Sequence, residues 1–522
     1  MYIKTITYDK NTAEKIKSAD YGTNWPIVYL LLNRKRRELY VGETVNARRR
    51  LKQHFSRRND LDEANLIIDE RFNKSATLDI ESWLIQYFSA DSKFKLQNGN
   101  KGIKNHNYYD RETYRAIFDN IWDELRTRGL ATQDLIQLKN SDLFKFSPYQ
   151  SLNDEQIKIV DDIQNDLENK TYKTYVVNGE AGTGKSVLAT YLIKYVLSQE
   201  NTNDLKVALV VPMSGLRKTL KKVFKNVSGL KSNMVIGPSE VVKDNYDLLI
   251  VDETHRLKRR VNLGQQYKSY DDINKKLNLR KESTQLDWIL KKSKSQLFLY
   301  DSSQQVGPGD IRNEDINKLN AENHKLTSQL RVQGGNDYIQ FIENLLIGQP
   351  TPLPKIRNKY NLKYFDNPSE MIDEIKNLNQ KHGLCRVVAG YAWEWKTSKG
   401  GTYDIELDGL KLVWNSVTTD WVNSPNAINE VGCIHTIQGY DLNYVGVIIG
   451  PELKYNPLKK LIYVDVLSYK DINGKRGIAD SHELQYYIKN IYKTLLSRGI
   501  NGTFIHAVDK NLANYIKDLI ND

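Results

Sequence analysis

Short apolar runs alternate with amphipathic helical stretches over most of the chain. From Ser151 onward the runs are rich in aliphatic residues, and a stretch with helical periodicity follows each of them. Continuous apolar runs of this kind are typical of parallel strands covered by helices on both faces. The runs lie at residues 175–177, 207–211, 248–251, 297–300, 386–389 and 445–449. This stretch is too long for one such sheet, so the pattern predicts two α/β domains that meet near residues 330–365.

The first hundred residues follow a different pattern. Tyr29 and Tyr40 each lie in an apolar run, and the two runs predict the strands of a hairpin. Asn46 is a favourable N-cap for a helix whose apolar positions recur at every fourth residue. A second helix is predicted at residues 80–88. This part of the chain therefore forms a small α+β unit before the longer α/β region.

Composition excludes several classes of protein. Among 522 residues, 40% are hydrophobic and 27% are charged, which excludes a fully disordered chain. The longest unbroken aliphatic and aromatic run, at residues 27–32, is far shorter than the roughly 20 residues of a membrane span. No apolar signal segment begins the sequence, so we expect a cytoplasmic protein without membrane contact. Cys385 and Cys433 can form neither a disulfide framework nor a paired zinc site.

The positive charge is concentrated in the first part of the chain. Lys and Arg total 76 against 64 Asp and Glu, a net charge of +12. Residues 1–120 hold 22 of these basic and 16 of these acidic residues, so half of the excess lies in under a quarter of the chain. This balance favours nucleic acid as the partner. A generally lysine-rich composition without functional meaning is the alternative that charge leaves open.

The small N-terminal unit carries polar residues suited to phosphodiester hydrolysis. Arg50 and His54 are four residues apart, so they share a helix face. Glu81 lines up with the apolar side of the second helix, where a carboxylate is costly unless it meets a cation or a metal. Residues 25–100 resemble the GIY-YIG endonuclease family. Its two motifs read Ile27-Val28-Tyr29 and Tyr40-Val41-Gly42 here, with conservative departures at Ile27 and Val41.

The resemblance implies a single-metal nuclease site. Glu81 would hold one divalent ion, Mg²⁺ or Mn²⁺, that polarises a phosphoryl oxygen. Arg50 would stabilise the negative charge that develops on the phosphate. A tyrosine hydroxyl, Tyr29 in preference to Tyr40, would accept a proton from water, for which nearby cations must lower its pKa.

Two further residues complete the implied nuclease set. His54 would assist proton transfer. Asn98 matches the late asparagine of the family, and Asn100 is the alternative register.

A nucleotide-binding motif lies within residues 175–186. A predicted strand, a glycine-rich turn and the start of a helix there match G-x-x-x-x-G-K-[ST]. Backbone N–H groups of this turn would surround nucleotide phosphates, helped by the helix dipole. Lys185 would reach the β- and γ-phosphates, and Ser186 would hold Mg²⁺. The other residues assigned to the turn are Gly179, Gly182, Thr183 and Gly184.

An acidic pair follows the apolar run at residues 248–251. Asp252 would bind Mg²⁺ through water, and Glu253 would orient the water that attacks ATP. Carboxylates at the end of a buried strand downstream of a P-loop are typical of this role.

Further motifs follow in an order that resembles superfamily 1 helicases. Gln156, just before the P-loop, would read adenine, and Gln304 would sense the γ-phosphate. Arg331 and Arg498 would be arginine fingers, and residues 435–439 resemble a motif on the nucleic-acid side of the second domain.

A narrower resemblance covers residues 150–522 and concerns the Schlafen-like bacterial helicases, the DUF2075 family. It rests on residues 252–255, 285–288, 387–391 and 497–499. The resemblances together imply an α/β protein with two RecA-like parallel-sheet domains of a superfamily 1 helicase core behind a small α+β GIY-YIG nuclease domain. The expected bounds are 1–110 for the nuclease, 111–149 for a helical connector, and 150–335 and 336–522 for the RecA-like domains.

The expected function is an ATP-dependent nucleic-acid motor coupled to a metal-dependent endonuclease. DNA is the expected partner, and restriction or antiphage defence is the expected context, with a homo-oligomer or a defence partner protein as further options. The alternatives are a nucleotide-dependent sensor, an RNA-directed nuclease and a DNA-repair enzyme. The basic residues 256–260 and the tryptophans Trp393, Trp395 and Trp414 could contact nucleic acid, or could be a solvated loop and core residues.

Overall fold

A computed structural model describes residues 1–16, 22–99, 108–349, 360–476, 478 and 480–521. The chain divides into two compact units. One comprises Met1–Thr171, Ser186–Leu205 and Lys218–Val235, and the other comprises Tyr172–Lys185, Lys206–Arg217 and Ile236–Asp522.

The N-terminal part forms a mixed sheet with helices. Its described strands follow the order β1-β4-β2-β3-β5, antiparallel except for the β3–β5 pair. The elements are β1 (Tyr2–Thr7), α1 (Thr12–Lys15), β2 (Ile27–Asn33), β3 (Glu38–Thr44), α2 (Ala47–Phe55), β4 (Glu63–Ile68), α3 (Lys74–Asp91) and β5 (Lys95–Leu96). Helices α4 (Arg111–Thr127), α5 (Leu135–Asn140), α6 (Asp142–Lys145) and α7 (Asp154–Glu168) follow. Apolar residues of β2 and β4 pack against Ala47 and Leu51 of α2 and form the core of this part.

A first parallel sheet follows, with described strands in the order β11-β6-β10-β9-β7-β8. Its strands are β6 (Thr174–Gly179), β7 (Val207–Val210), β8 (Val235–Ile236), β9 (Tyr246–Val251), β10 (Ser293–Tyr300) and β11 (Glu322–Leu326). The helices in this stretch are α8 (Lys185–Val196), α9 (Ser214–Asn226), α10 (Tyr267–Lys276), α11 (Gln285–Lys292), α12 (Asn313–Asn317) and α13 (Gly335–Ile347). Residues 248–251 of β9 and 297–299 of β10 are fully buried, as expected for continuous apolar runs.

A second parallel sheet has described strands in the order β12-β20-β17-β13-β16. Its strands are β12 (Asn361–Tyr364), β13 (Cys385–Ala389), β16 (Val431–Gly432), β17 (Leu442–Ile449) and β20 (Gly499–Ala507). Two small hairpins are β14 (Ile405–Leu407) with β15 (Leu410–Leu412), and β18 (Leu453–Asn456) with β19 (Leu461–Val464). The helices are α14 (Pro368–His382), α15 (Ile434–Ile437), α16 (Ile472–Lys475), α17 (Ser481–Leu496) and α18 (Lys510–Asn521).

The predicted fold class is confirmed, since a small N-terminal α+β part precedes two parallel sheets covered by helices. The apolar runs predicted as strands lie in strands, except that Val211 follows the last residue of β7. No helix among the described residues is long and apolar enough to cross a membrane.

Candidate nuclease and ATPase sites

The nuclease candidate begins on the hairpin of β2 and β3. Tyr29 pairs in register with Gly42, and Leu31 pairs with Tyr40. The Tyr29 side chain is buried over Gly42, where an added Cβ would overlap its ring and hydroxyl. The position therefore requires glycine, because another residue would displace the tyrosine.

Helix α2 carries the next groups. Its N-cap, Asn46, accepts a hydrogen bond from a backbone N–H of the first turn, as the sequence predicts. The His54 ring lies 5.3 Å from the Tyr40 ring and 6.1 Å from the Tyr29 ring, between centroids. Burial and neighbouring arginines lower the pKa of His54 to about 4. The imidazole is therefore neutral near pH 7 and can accept a proton.

Arg50 is the cation that faces the buried tyrosine. Burial raises the pKa of Tyr29 well above its ordinary value of 10, and Tyr40 raises it further, while Arg50 lowers it. The residues of the chain therefore shift this pKa in the direction opposite to the one that the sequence argument required. A second arginine, Arg58, lies 3.8 Å above the Tyr40 ring and fixes it by a cation–π contact.

Two carboxylates, Glu81 near the middle of α3 and Glu43 near the end of β3, lie close together. Glu81 accepts a hydrogen bond from the backbone N–H of Glu43, and the Glu43 carboxylate pairs with Lys74. Burial and the negative charge of Glu43 raise the pKa of Glu81 to about 7. A divalent cation would relieve both effects, and carboxylate oxygens are the donors that Mg²⁺ and Mn²⁺ prefer. These residues therefore fit the implied metal.

The metal would need ligands beyond this pair. Among the described residues, no group of three or more His, Cys, Asp or Glu side chains could hold a metal ion. Water and substrate phosphate oxygens would supply further ligands, as is usual for Mg²⁺ at phosphate sites.

Asn98 is placed to hold the hairpin. Its Nδ2 donates to the carbonyl of Val41 at 2.8 Å, and its Oδ1 accepts the N–H of Val41 at 3.0 Å. Val41 lies between Tyr40 and Gly42, so the buried amide fixes the strand that carries the site. The alternative, Asn100, lies outside the described residues.

The ATPase candidate centres on the turn between β6 and α8. Gly182 and Gly184 have φ values of +88° and +82°, which favour glycine. Thr183 Oγ1 donates to the carbonyl of Glu180 at 2.9 Å. Gly179 ends β6 and leads into this turn. The turn is therefore shaped by its own glycines and internal hydrogen bonds.

Lys185 is buried and has several partners within its own unit. Its Nζ donates to the carbonyls of Gly179 and Glu180 at 2.6 and 2.8 Å, and lies 3.5 Å from Asp301 Oδ2. The turn carbonyls hold this ammonium group at the place where nucleotide phosphates would bind, so the residues of the turn fit ATP.

The acidic pair ends the neighbouring strand β9. Asp252 and Glu253 are buried, and Asp252 Oδ1 accepts the N–H of Glu253 at 3.0 Å. Glu253 has a left-handed φ of 51°, which is uncommon for a residue with a side chain and clusters at functional sites. Burial would raise the pKa of Glu253, but His255 at 2.9 Å, Lys185 and Arg498 hold it below its ordinary value. The carboxylate is therefore ionised.

Gln304 connects the first parallel sheet to the second. Its Nε2 donates to Asp301 Oδ2 at 2.7 Å, and its Oε1 accepts from Arg498 Nη2 at 3.1 Å. Arg498 is buried and also donates to the carbonyl of Tyr440 at 3.2 Å. Burial and the charge of a second arginine lower the pKa of Arg498 to about 10, so it stays charged near pH 7. A continuous polar chain therefore runs from Lys185 to Arg498.

Arg331 follows β11 and lies beside the P-loop turn. The side-chain amide of Gln329 and the backbone N–H of Leu330 each donate to a carbonyl of this turn at 2.8 Å. The Arg331 guanidinium pairs with Asp441, which precedes β17. The two predicted arginine fingers are thus held by residues of the second sheet region.

Gln156 and Ser186 belong to the first unit. The Gln156 side chain accepts the backbone N–H of Asn153 at 3.0 Å and so caps helix α7. Ser186 is the second residue of α8. Their roles toward adenine and Mg²⁺ stay predictions.

The N-terminal part and the parallel-sheet part of this chain each match a known protein family. A family model described as the Schlafen group 3 DNA/RNA helicase domain matches residues 172–509, more than half of the chain. The chain belongs to the Schlafen group 3 helicase family. A second model, the GIY-YIG catalytic domain, matches residues 26–90. This Schlafen group 3 protein therefore combines a P-loop ATPase with an endonuclease domain.

Two individual proteins are also similar. The uncharacterized Saccharomyces cerevisiae protein YPL245W is 24% identical over 387 residues, which cover 65% of this chain and 82% of the yeast protein. The crystal structure of Pif1 helicase from Candida albicans aligns with 11% identity and a TM-score of 0.29, covering 71% of this chain and 100% of that one.

The basic residues after the acidic pair of this Schlafen group 3 chain serve its fold. Arg256 and Lys258 pair with Asp310 at 3.0 and 2.6 Å, and Arg260 pairs with Asp271 at 2.6 Å. Arg259 donates to the backbone carbonyls of Asp310 and Pro308, so all four basic side chains have partners within the fold. Two carboxylates face four cations, and contact with nucleic acid stays a prediction. Trp414 is likewise a core residue, 1% exposed.

Several residues at both sites were not singled out in the sequence. At the nuclease site these are Glu43 in β3 and Arg58 shortly after α2, and neither belongs to a distinctive sequence pattern. At the ATPase site the additional residues are His255, Asp301, Gln329, Gln438 and Asp441. They occur inside or beside the quoted motifs, so the motifs were the available signal.

Proposed function

We propose that this chain is an ATP-driven motor on DNA whose N-terminal domain, residues 1–110, cuts the same DNA in restriction or antiphage defence. The observation that carries this proposal is the buried chain from Lys185 through Asp301 and Gln304 to Arg498. It joins the nucleotide-binding turn to the second parallel sheet. A change at the γ-phosphate would alter this chain and with it the placement of the two sheets, residues 150–335 and 336–522, which is the movement that a motor needs.

ATP hydrolysis assigns a role to each group of the site. Lys185 binds the β- and γ-phosphates, and Glu253, ionised and buried, accepts a hydrogen bond from the attacking water. Arg331 and Arg498 stabilise the charge that develops on the phosphate, and Gln304 senses the phosphate between them. Mg²⁺, held by Ser186 and Asp252, would neutralise the phosphate charge. Gln156 selects adenine.

Each residue of the nuclease site has a proposed role in phosphodiester cleavage. His54, neutral near pH 7, takes up the proton of the attacking water directly or through a tyrosine hydroxyl. Arg50 stabilises the charge on the phosphate. A divalent ion at Glu81 would polarise the scissile phosphate. Asn98 holds the strand that carries Tyr40.

Helix α9 supports nucleic acid as the partner. Residues 213–239 contain neither Asp nor Glu. Lys218, Lys222 and Lys225 recur at helical spacing and are exposed on one face. A row of cations with this spacing can follow a phosphate backbone. The family description names both DNA and RNA, so the choice of DNA belongs to this proposal.

A cleavage time course tests the proposal. The full chain is incubated with supercoiled, linear duplex and single-stranded DNA and with single-stranded RNA, in Mg²⁺, with and without ATP. We expect cleavage of DNA that requires ATP and disappears in the Lys185→Ala and Glu81→Gln variants. Cleavage of RNA alone would replace DNA by RNA as substrate. Nucleotide-dependent binding without any cleavage would show a sensor.

A further inference from the structure

Two consecutive residues after the short strand β5 support the nuclease site. Asn98 holds the backbone of β3 at Val41, next to Tyr40. The preceding residue, Gln97, is half-buried, and its Oε1 accepts a hydrogen bond from Arg58 Nη1 at 2.6 Å. The same short segment therefore fixes both the strand that carries Tyr40 and the arginine that lies over the ring of Tyr40.

The amide of Gln97 is itself held by two acidic side chains. Its Nε2 donates to Asp60 Oδ2 at 2.9 Å and to Glu38 Oε2 at 3.3 Å. Because the nitrogen of an amide is only a donor and its oxygen only an acceptor, these contacts allow one orientation of the group. The amide oxygen therefore points at Arg58, and the guanidinium is kept 3.8 Å from the centre of the Tyr40 ring.

The two tyrosines of the site differ in what they can contact. Tyr29 is fully buried, with its ring over Gly42. Tyr40 is half-buried, so its side chain is partly open to water and substrate. Burial raises the pKa of Tyr40, and the positive charge of Arg58 opposes this rise. Tyr40 therefore combines partial exposure with a cation that is fixed by its own hydrogen bond.

We infer that Arg58, held by Gln97, is a positioning residue of the nuclease and that Tyr40 rather than Tyr29 meets the attacking water. The Tyr40 hydroxyl takes a proton from this water and passes its own proton to His54, while the water oxygen bonds to phosphorus and the leaving oxygen departs. The His54 ring lies 5.3 Å from the Tyr40 ring, between centroids, and is neutral near pH 7. Arg58 acts through Tyr40, because its cation–π contact keeps the ring in place. The inference rests on the proposed cleavage of DNA by this domain.

Cleavage kinetics of the full chain, with kcat and KM for DNA measured separately at saturating ATP, test the inference. Tyr40→Phe keeps the ring but removes the hydroxyl, so it should lower kcat about 10²-fold, more than Tyr29→Phe does. Arg58→Ala should lower kcat about tenfold, the size of a strong cation–π contact, while KM changes less than about twofold. Arg58→Lys keeps the charge and should recover part of kcat.

Two combinations test the path from Gln97 to Tyr40. Gln97→Ala should lower kcat, and Gln97→Ala with Arg58→Ala should be no slower than Arg58→Ala alone. Arg58→Ala with Tyr40→Phe should likewise be no slower than Tyr40→Phe alone, because Arg58 acts through the lost hydroxyl. Losses that multiply in these double variants would show that Arg58 does not act through Tyr40.

Fluorine NMR reads the contact without any cleavage. The full chain carries 3-fluorotyrosine in place of Tyr40, and Arg58→Ala and Gln97→Ala should each shift its resonance. Arg49→Ala removes an exposed arginine of the same helix region and is the matched control. It should leave both the resonance and kcat unchanged. A resonance that does not respond to Arg58→Ala would overturn the inference.

The remaining outcomes separate this inference from the proposed function. If Arg50→Ala cleaves normally, the assignment of the nuclease site itself fails. If Arg50→Ala is inactive while Arg58→Ala has a normal kcat, or if Tyr29→Phe costs more than Tyr40→Phe, only the present inference fails. A loss confined to KM would make Arg58 a DNA-binding residue instead. Should Arg58→Ala not fold, Gln97→Ala decides, since a lower kcat at unchanged KM supports the inference and an unchanged kcat overturns it.

Discussion

The two candidate sites of this protein are built in opposite ways. The nuclease groups come from one small sheet and its helices, where the Asn98–Val41 contact that holds the hairpin spans 57 positions of the chain. The ATPase groups come from two sheets, and the contact between Gln304 and Arg498 spans 194 positions. The nuclease site therefore forms with its own domain, whereas the ATPase site is complete only when two sheets meet.

The two sites also differ in the solvent exposure of their charged residues. Arg50 of the nuclease is exposed, so substrate can reach it without any change in the protein. Lys185, Glu253 and Arg498 are buried and contact one another through side chains of both sheets. A buried site assembled from two parts can be switched by whatever moves the parts. A local site with an exposed arginine is controlled by whether its substrate is supplied.

Replacing the P-loop lysine should have the largest effect and should be confined to the ATPase. Lys185→Ala removes the ammonium group that is held between the turn carbonyls and Asp301. We expect ATP turnover to fall about 10³-fold, as for loss of a main charge-stabilising donor. The locally built nuclease domain should keep its folded structure, which circular dichroism and thermal melting can check. Lys206→Ala, at an exposed lysine that pairs with Asp244, is the matched control and should leave turnover intact.

Replacing the metal-binding candidate should have the reverse effect. Glu81→Gln keeps the size of the side chain but removes its charge, so metal-dependent cleavage should fall about 10³-fold while ATP turnover is unchanged. Glu63→Gln is the control, because Glu63 lies in β4 of the same small N-terminal part and pairs with Arg34 at the surface. Cleavage that survives in Glu81→Gln would place the nuclease centre elsewhere in the chain.

A steric change at the hairpin tests how local the nuclease site is. Gly42→Ala inserts a Cβ into the space of the Tyr29 ring. We expect cleavage to fall about 10²-fold through displacement of Tyr29 and its neighbours, with a stability cost of about 1–3 kcal/mol and no effect on ATP turnover. Gly99→Ala is the matched control, since a Cβ there meets nothing within 4 Å. Equal effects of the two variants would contradict the steric argument.

The sequence predicted much of the fold because burial leaves a pattern. Strands such as β9 and β10 are covered on both faces, so they appear as continuous apolar runs. Strand β11 left no such run, because it lies at the edge of its sheet and most of its residues are exposed or half-buried. Strand β20 also lacks a continuous apolar run, because Gly499, Asn501 and Gly502 interrupt its first half.

The residues of local motifs could be predicted from the sequence, whereas the contacts between the two sheets could not. The P-loop and the acidic pair have fixed local spacing, so Lys185 and Glu253 follow from the sequence. The contacts between Gln304 and Arg498, and between His255 and Gln438, depend on how two sheets pack, which no local spacing encodes. The burial of Tyr29 also depends on tertiary packing and cannot be predicted from local spacing. This burial raises the pKa of the Tyr29 hydroxyl, whereas a proton-accepting role would need a lower pKa.

Glu452, in the second sheet region, is a second buried glutamate that can be compared with Glu81. Burial raises the pKa of both Glu81 and Glu452 to about 7. Glu81 lies beside Glu43 and Arg50 at the nuclease site, whereas Glu452 is fully buried and accepts the Tyr492 hydroxyl at 2.6 Å. Similarly raised pKa values therefore accompany different surroundings, and Glu452 is a buried residue hydrogen-bonded to Tyr492.

Its removal should raise stability in alkaline solution and leave both activities unchanged. Because the pKa of Glu452 is higher in the folded than in the unfolded chain, stability is lost as pH rises from about 4.5 through about 7, by up to about 3 kcal/mol. Glu452→Gln cannot ionise, so it should melt at a higher temperature than the parent at pH 8.5, and the difference should vanish near pH 4.5. Thermal melting across this range measures the effect. A difference that does not depend on pH would show that Glu452 is not the titrating group, and lost turnover or cleavage would make it a functional residue, the role predicted for Glu81.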